Sequence, residues 1–193
     1  MFRLKHSCNG TVERFKARLV AKGCTQKYGI DYDETFSPVV RFSSIRCLLA
    51  FAVQNDLLIH QMNVETAFLN GKLDEEIYMQ PEGYVKPGEE HLVCRLEKWL
   101  YGLKQSSRCW NKVFRECFEK TGFIQASADP CLFIGKDALN IFGVRVDDLM
   151  IQARNITEMR SVKDSLKLQF KMKDMGELHC YVGVCIVQDV KNK

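Results

Sequence analysis

The chain has 193 residues, of which 46% are apolar, and 28 basic against 24 acidic residues give a formal net charge of +4. That apolar share excludes compositional disorder and suits one domain or two intimately packed lobes. No apolar run approaches the roughly 20 residues that cross a bilayer, so no membrane partner is expected, and the net charge is too small to name a polyanionic partner by itself.

In chain order, residues 2–6 and 12–22 read as two strands joined by Asn9-Gly10, a strong hairpin signal. Phe15, Ala17, Leu19 and Ala21 alternate with Lys16, Arg18, Val20 and Lys22 along the second strand. Residues 1–30 carry Arg3, Lys5, Arg14, Lys16, Arg18, Lys22 and Lys27 against the single acid Glu13, an excess that suits phosphates or plain solvent. An irregular connection over 25–42 leads to a helix capped by Ser43 or Ser44 and running to about Gln54. A strand at 57–63 follows, then a helical turn from Thr66 to Asn70 stopped by Gly71. Short strands are expected at 76–80 and 91–97, and a long helix from Ser106 to about Lys120, with Gly122 as its stop. Strands at 131–135 and 140–152, the latter broken at Asp147-Asp148, precede a helix at 157–169 and a last strand at about 178–187. Strands and helices without regular alternation indicate an α+β fold. Arg3, Lys5 and His6 interrupt the start, so no leader peptide is expected. The nine cysteines, at positions 8, 24, 47, 94, 109, 117, 131, 180 and 185, make no Cys-x-x-Cys pair and sit mostly in apolar runs. They read as buried reduced thiols of an intracellular protein.

The sharpest local feature is Val144-Arg145-Val146-Asp147-Asp148-Leu149-Met150, two adjacent carboxylates at the break of an apolar hairpin. Alone, such a pair is usually only a turn. Its neighbours change the weighing: Phe15-Lys16-Ala17-Arg18-Leu19-Val20-Ala21-Lys22-Gly23, Thr35-Phe36-Ser37-Pro38-Val39, Thr66-Ala67-Phe68-Leu69-Asn70-Gly71, Leu100-Tyr101-Gly102-Leu103-Lys104-Gln105 and Met172-Lys173-Asp174-Met175-Gly176. With these motifs in this order, the chain resembles the copia-type retrotransposon reverse transcriptases over essentially its whole length.

The resemblance implies a right-hand polymerase: fingers at about 1–50, palm at 51–80, fingers and a template-side segment at 81–110, and palm again at 111–193. It implies a ferredoxin-like palm sheet with helices on one face, the thumb being absent. The partners would be an RNA or DNA template with its primer, and deoxynucleoside triphosphates. The cofactor would be two Mg²⁺ ions, which require hard anionic oxygens and stabilise the attacking and leaving oxygens of phosphoryl transfer. By resemblance the metal ligands would be Asp147, with Asp148 beside it, and an Asp at position 63. The family pattern Met-Asp-Val-Lys-Thr-Ala-Phe-Leu-Asn-Gly reads here Met62-Asn63-Val64-Glu65-Thr66-Ala67-Phe68-Leu69-Asn70-Gly71. Asn63 supplies a neutral carbonyl where a bridging carboxylate is required. In a continuing strand Glu65 would share a face with Asn63, one pleat too far to replace it.

Arg145 stands where the family has an aromatic; on a common strand face it would sit near Asp147 and compete with metal. Ser107 replaces a small residue, a mild change. Phe68 matches the aromatic gate that excludes a ribose 2′-hydroxyl, its plainer reading being a core Phe at a helix start. Arg18, with Lys16 and Lys22, matches the fingers cations that neutralise a triphosphate. Gly102, Lys104 and Gln105 match the segment against the templating base pair, where Gly allows close backbone approach. Tyr181-Val182-Gly183-Val184 matches a primer-gripping hairpin usually read Phe-Leu-Gly-Ile, and is equally readable as a core strand. Arg145, Tyr181 and Gly183 are thus the candidate primer and template contacts. The function so read is an RNA-directed DNA polymerase domain fragment, impaired by Asn63. The alternatives are a non-catalytic nucleic-acid-binding module or a non-functional element remnant.

Overall fold

The computed structural model describes residues 1–6, 10–73, 75–80 and 83–187. Its elements in chain order are strands β1 (Phe2–His6) and β2 (Val12–Ala17), helix α1 (Phe42–Gln54), strands β3 (Leu58–Val64), β4 (Tyr78–Met79) and β5 (Cys94–Arg95), and helix α2 (Ser106–Lys120). Then come strands β6 (Ile124–Gln125), β7 (Leu132–Ile134), β8 (Ile141–Arg145) and β9 (Asp148–Ala153), helix α3 (Ile156–Gln169), and strands β10 (Met172–Glu177), β11 (Cys180–Tyr181) and β12 (Val184–Cys185). The chain forms two compact units, one of Met1–Phe36 with Phe68–Trp110 and one of Ser37–Ala67 with Asn111–Lys193. The second unit begins at Ser37 and so takes in α1, which buries Ile45, Leu48 and Ala52 in that unit's core.

The second unit is built on a six-stranded antiparallel sheet in the order β10-β3-β9-β8-β7-β6. Strands β3, β8, β9 and β10, with α2 and α3 as crossovers, follow the β-α-β-β-α-β pattern of a split βαβ fold. Ile141 to Val144 and Leu149 to Ala153 are buried without interruption, as they must be in strands covered on both faces. On one face Phe114 and Phe118 of α2 join Phe133, Phe142 and Phe170 in a ring cluster with centroid separations of 4.7–6.4 Å. α3 lies on that same face, where Lys163 reaches His60 of β3. On the other face lies α1: the Gln152 amide nitrogen, Nε2, donates to the Leu48 carbonyl at 2.7 Å. The expectation of helices on one face therefore holds for α2 and α3 and is corrected for α1, which shares the opposite face with Leu178 and Tyr181.

The Ser caps expected for α1 are replaced by a long-range one. Asp129 Oδ2 accepts from the Arg41 backbone N–H at 3.0 Å and from Ser44 Oγ at 2.6 Å, and its Oδ1 accepts from the Cys131 N–H at 2.9 Å. α2 spans the residues the sequence suggests, and Gly122 after it has φ +88°. β10 was not expected. The strand expected at 178–187 is a small hairpin, β11 with β12, turning at Val182 and Gly183, both at positive φ, as a tight two-residue turn requires.

In the first unit β1 pairs with β2, while Asn9 lies outside the described residues. β2 stops at Ala17, five residues short of the expected end, since the following segment turns to bond Ala21 N–H to the Tyr101 carbonyl at 2.7 Å. Phe15 and Leu19 stay exposed, and of the alternating set only Ala21 is buried, with Ile77 and Leu103. The strands expected at 76–80 and 91–97 shrink to β4 and β5. The buried-thiol expectation is also corrected: of the described cysteines, 24, 47, 94, 180 and 185 are exposed and only 117 and 131 are buried. Burial raises both latter thiols, Cys131 to about 12 with help from the Asp129 charge. Among the described residues no helix is long and apolar enough to cross a membrane.

Candidate functional site

In the second unit, antiparallel pairing of β3 with β9 sets Asn63 directly opposite Asp148. The Asn63 amide donates to Asp148 Oδ1 at 2.9 Å and to the Asp147 carbonyl at 3.3 Å, and the Val64 N–H donates to the same carbonyl at 2.7 Å. Arg145 pairs with Asp148, which leaves Val146 and Asp147 as the two turn residues between β8 and β9. Val146 has φ +55°. A β-branched side chain is rare in that region, and its strain persists only where the surroundings over-determine it. Here the ladder on both sides and the two bonds to the Asp147 carbonyl hold the turn, and Asp147 sits at its apex, half-buried.

The register extends further. Lys173 of β10 pairs with Asn63, so Lys173, Asn63, Asp148 and Arg145 form one row across four strands. Arg145 thus stands across from Asp148 and does not share a strand face with Asp147, which belongs to the turn. Glu65 does not continue β3. The chain turns at Thr66, φ +51°, and Glu65 pairs with Lys171 at 2.8 Å while its N–H bonds the Lys171 carbonyl.

These residues do not fit a cradle for two divalent ions. Two carboxylates are present, one of them already accepts a bond from the amide at position 63, and cations hold both ends of the row. Among the described residues no group of three His, Cys, Asp or Glu side chains is arranged to hold a metal.

Tyr181 is a core residue, 1% exposed, and not a surface contact. Its hydroxyl donates to the Gly143 carbonyl at 3.1 Å and lies 3.4 Å from that of Asp148. Burial, reinforced by the Asp148 charge, pushes its ionisation well above the usual tyrosine range, so it remains a donor. It ties the β11–β12 hairpin beneath the aspartate turn, and Gly183 occupies the exposed tip.

The remaining candidates lie in the first unit. Phe68 is buried, 7% exposed, and its ring meets that of Tyr101 at 4.6 Å. The Arg18 guanidinium lies 4.5 Å from the Tyr101 ring centroid. Arg18 and Lys22 line a cleft of about 760 Å³ together with Gln26, Asp31, Tyr78 and Tyr84. Lys16 pairs with Arg3 across the β1–β2 ladder. Gly102 has φ +95°, and a Cβ there would lie 2.2 Å from the Ala21 carbonyl oxygen, so its close backbone approach is to its own chain. Lys104 reaches the Gln26 carbonyl at 3.3 Å and the Tyr32 hydroxyl at 3.1 Å. Gln105 is buried: its amide nitrogen donates to the Asp31 carbonyl and its oxygen accepts from Gln26.

Sequence reasoning passed over two residues. Lys173 joins the row only because β10 is a strand, which its polar sequence conceals. Tyr101 lies within the 100–105 motif, and its place beside Gly102 was the available signal.

The family model described as Reverse transcriptase (RNA-dependent DNA polymerase) matches residues 1–192. The chain is 42% identical over 193 residues to the Retrovirus-related Pol polyprotein from transposon TNT 1-94 of Nicotiana tabacum, covering 98% of this chain and 14% of that protein. It is 40% and 39% identical over 188 residues to the corresponding polyproteins from transposons RE1 and RE2 of Arabidopsis thaliana, covering 95% of this chain and 13% of each. The chain therefore spans about a seventh of the length of these relatives. No solved structure matches it.

Proposed function

The chain belongs to the reverse transcriptase (RNA-dependent DNA polymerase) family, in its copia-type retrotransposon branch, and we propose that it is the fingers and palm of an RNA-directed DNA polymerase whose catalytic carboxylate set is one short. The second unit, with the Asp147-Asp148 turn, is the palm; the first unit, with Arg18, Phe68 and the 100–105 segment, is the fingers. Template with primer and deoxynucleoside triphosphates are the partners, and Mg²⁺ is the ion the family chemistry requires.

One observation carries the reading of impairment: the Asn63 amide bonded to Asp148 Oδ1 at 2.9 Å. An amide N–H donor occupies the position where a metal needs an anionic oxygen. Bound divalent ions would supply the Lewis acid that stabilises the charge of phosphoryl transfer. The chain's own residues hold Asp147 at the turn apex, and among the described residues no third carboxylate joins the pair there.

Primer extension on poly(rA) primed with oligo(dT), in Mg²⁺ or Mn²⁺, compares the wild type with Asn63→Asp. Removal of one preorganised electrostatic group typically costs about 10²–10³-fold in rate, so the revertant should exceed the wild type by roughly that factor. Wild-type synthesis as fast as the revertant's refutes the impairment.

The β1–β2 hairpin favours a second reading, a nucleic-acid-binding module. Arg3 and Lys16 are directly opposed in the ladder, which sets two basic residues side by side on one strand pair. Salt-dependent binding of an RNA–DNA hybrid, lost on charge reversal at Arg18 and Lys22, supports this module, and salt-independent binding counts against it.

A further inference from the structure

Arg18 is held by an aromatic ring. Its guanidinium lies 4.5 Å from the Tyr101 centroid, and among the described residues no carboxylate pairs with it. An arginine paired with an acid is largely neutralised. One lying over a ring keeps its full charge for an anion, and gives up less side-chain freedom when that anion arrives.

Tyr101 is itself fixed from three sides. Its ring meets the buried Phe68 at 4.6 Å with a 57° tilt. Its carbonyl accepts from the Ala21 N–H at 2.7 Å. Two glycines allow the 18–23 and 100–103 segments to approach: a Cβ on Gly102 would stand 2.2 Å from the Ala21 oxygen, and one on Gly23 would stand 2.0 Å from the Gly102 oxygen. The backbone of Arg18 is anchored as well, by reciprocal bonds with Met1 at 2.9 Å. Both ends of the Arg18 side chain are therefore set, and the residue opens on the cleft that Lys22 also lines.

We propose that Tyr101 is the positioning residue for polyphosphate binding in the first unit: backed by Phe68, its ring holds the Arg18 guanidinium in place, with no carboxylate paired to it among the described residues. This rests on the reading of Arg18 as a triphosphate cation. It assigns to Phe68, buried as it is, the task of supporting the ring that touches the cation.

The test measures binding of inorganic tripolyphosphate and of dTTP to the chain by titration calorimetry. Arg18→Ala should weaken both by tenfold or more, in keeping with the strength of charge-assisted bonds to phosphate. Tyr101→Leu should weaken both by about two- to fivefold, the range of an exposed cation–π contact. In the Arg18→Ala background it should have no further effect, because a residue acting through Arg18 has nothing left to act on. Replacing Tyr101 by Phe should preserve binding. Phe analogues of increasing fluorination keep the ring's shape, and so the fold, while draining its negative face; they should weaken binding stepwise. If Tyr101→Leu and Arg18→Ala are additive, or the fluorinated series is flat while Arg18→Ala still weakens binding, the role of Tyr101 falls and the reading of Arg18 stands. If Arg18→Ala binds as the wild type does, the reading of Arg18 falls and the proposal with it.

Discussion

Asn63→Asp should unfold more easily than the wild type in the absence of a divalent ion, and should regain that loss when one is added. The substitution replaces an N–H donor 2.9 Å from Asp148 Oδ1 with a carboxylate oxygen. Two unit charges at that separation repel by roughly 1.5 kcal/mol in a water-like dielectric and by up to about 6 kcal/mol at an effective dielectric of 20. Uptake of one shared proton caps the penalty: raising a carboxyl from about 3.9 to 7 is about three units, or some 4 kcal/mol. Arg145 and Lys173, at either end of the row, absorb part of it. The expected cost is therefore about 2–4 kcal/mol at neutral pH in chelator, or roughly 5–15 °C in Tm for a chain of this size. A divalent ion at a hundred times its Kd returns about 2.7 kcal/mol. The assay is thermal unfolding of both proteins in EDTA, in Mg²⁺ and in Mn²⁺. The wild type should scarcely respond. A wild type stabilised by the ion as strongly as the variant, or a variant already as stable as the wild type in EDTA, refutes the account of Asn63 as the missing anionic wall.

Asp129→Ala should cost about 3–5 kcal/mol by urea unfolding, since three donors lose a buried acceptor, whereas Asp129→Asn, which keeps one acceptor oxygen, should cost about half as much. Gly102→Ala meets both a φ of +95° and a backbone oxygen at 2.2 Å, so it should lose well over 2 kcal/mol, while Gly183→Ala, at φ +79° with nothing within 4 Å, should lose only about 1 kcal/mol. Acid should destabilise the protein in two stages. Burial, then the Lys163 charge, lowers the His60 pKa from 6.5, so the unfolded chain binds a proton that the folded chain resists, and stability falls as the pH drops below about 6.5. At Asp174 burial works upward but is outweighed by the bonds from Lys163 and the Gly176 N–H, leaving the carboxyl below 3.8; its contribution is complete above that value and lost as the pH falls through the lowered one. Urea midpoints from pH 8 to 3 should show both stages, with His60→Gln lacking the first.

What could be read from the sequence, and what could not, separates along the same sheet. α2 was legible because Ser106, Gly122 and an aromatic period mark its ends and its buried face. The aspartate turn was legible to within one residue because two apolar runs break there, although the break falls at Val146-Asp147 and Asp148 itself opens β9. The cap on α1 was not, since its acceptor is Asp129, 85 positions from Ser44. β10 was missed because an edge strand need not be apolar: its residues are mostly exposed and charge is what protects such an edge. The consequence reaches the site. Register slips in β10 between Asp174 and Gly176, where a bulge drops one residue from the ladder. Lys173 and Glu177 are four apart and would share a face of a regular strand. The bulge instead leaves Lys173 beside Asn63 and brings Glu177 beside His60 on the opposite face, where Asp174 meets Lys163 of α3. A cation therefore stands in the row with Asn63 because of one irregular residue, and counting by twos along the sequence cannot find it.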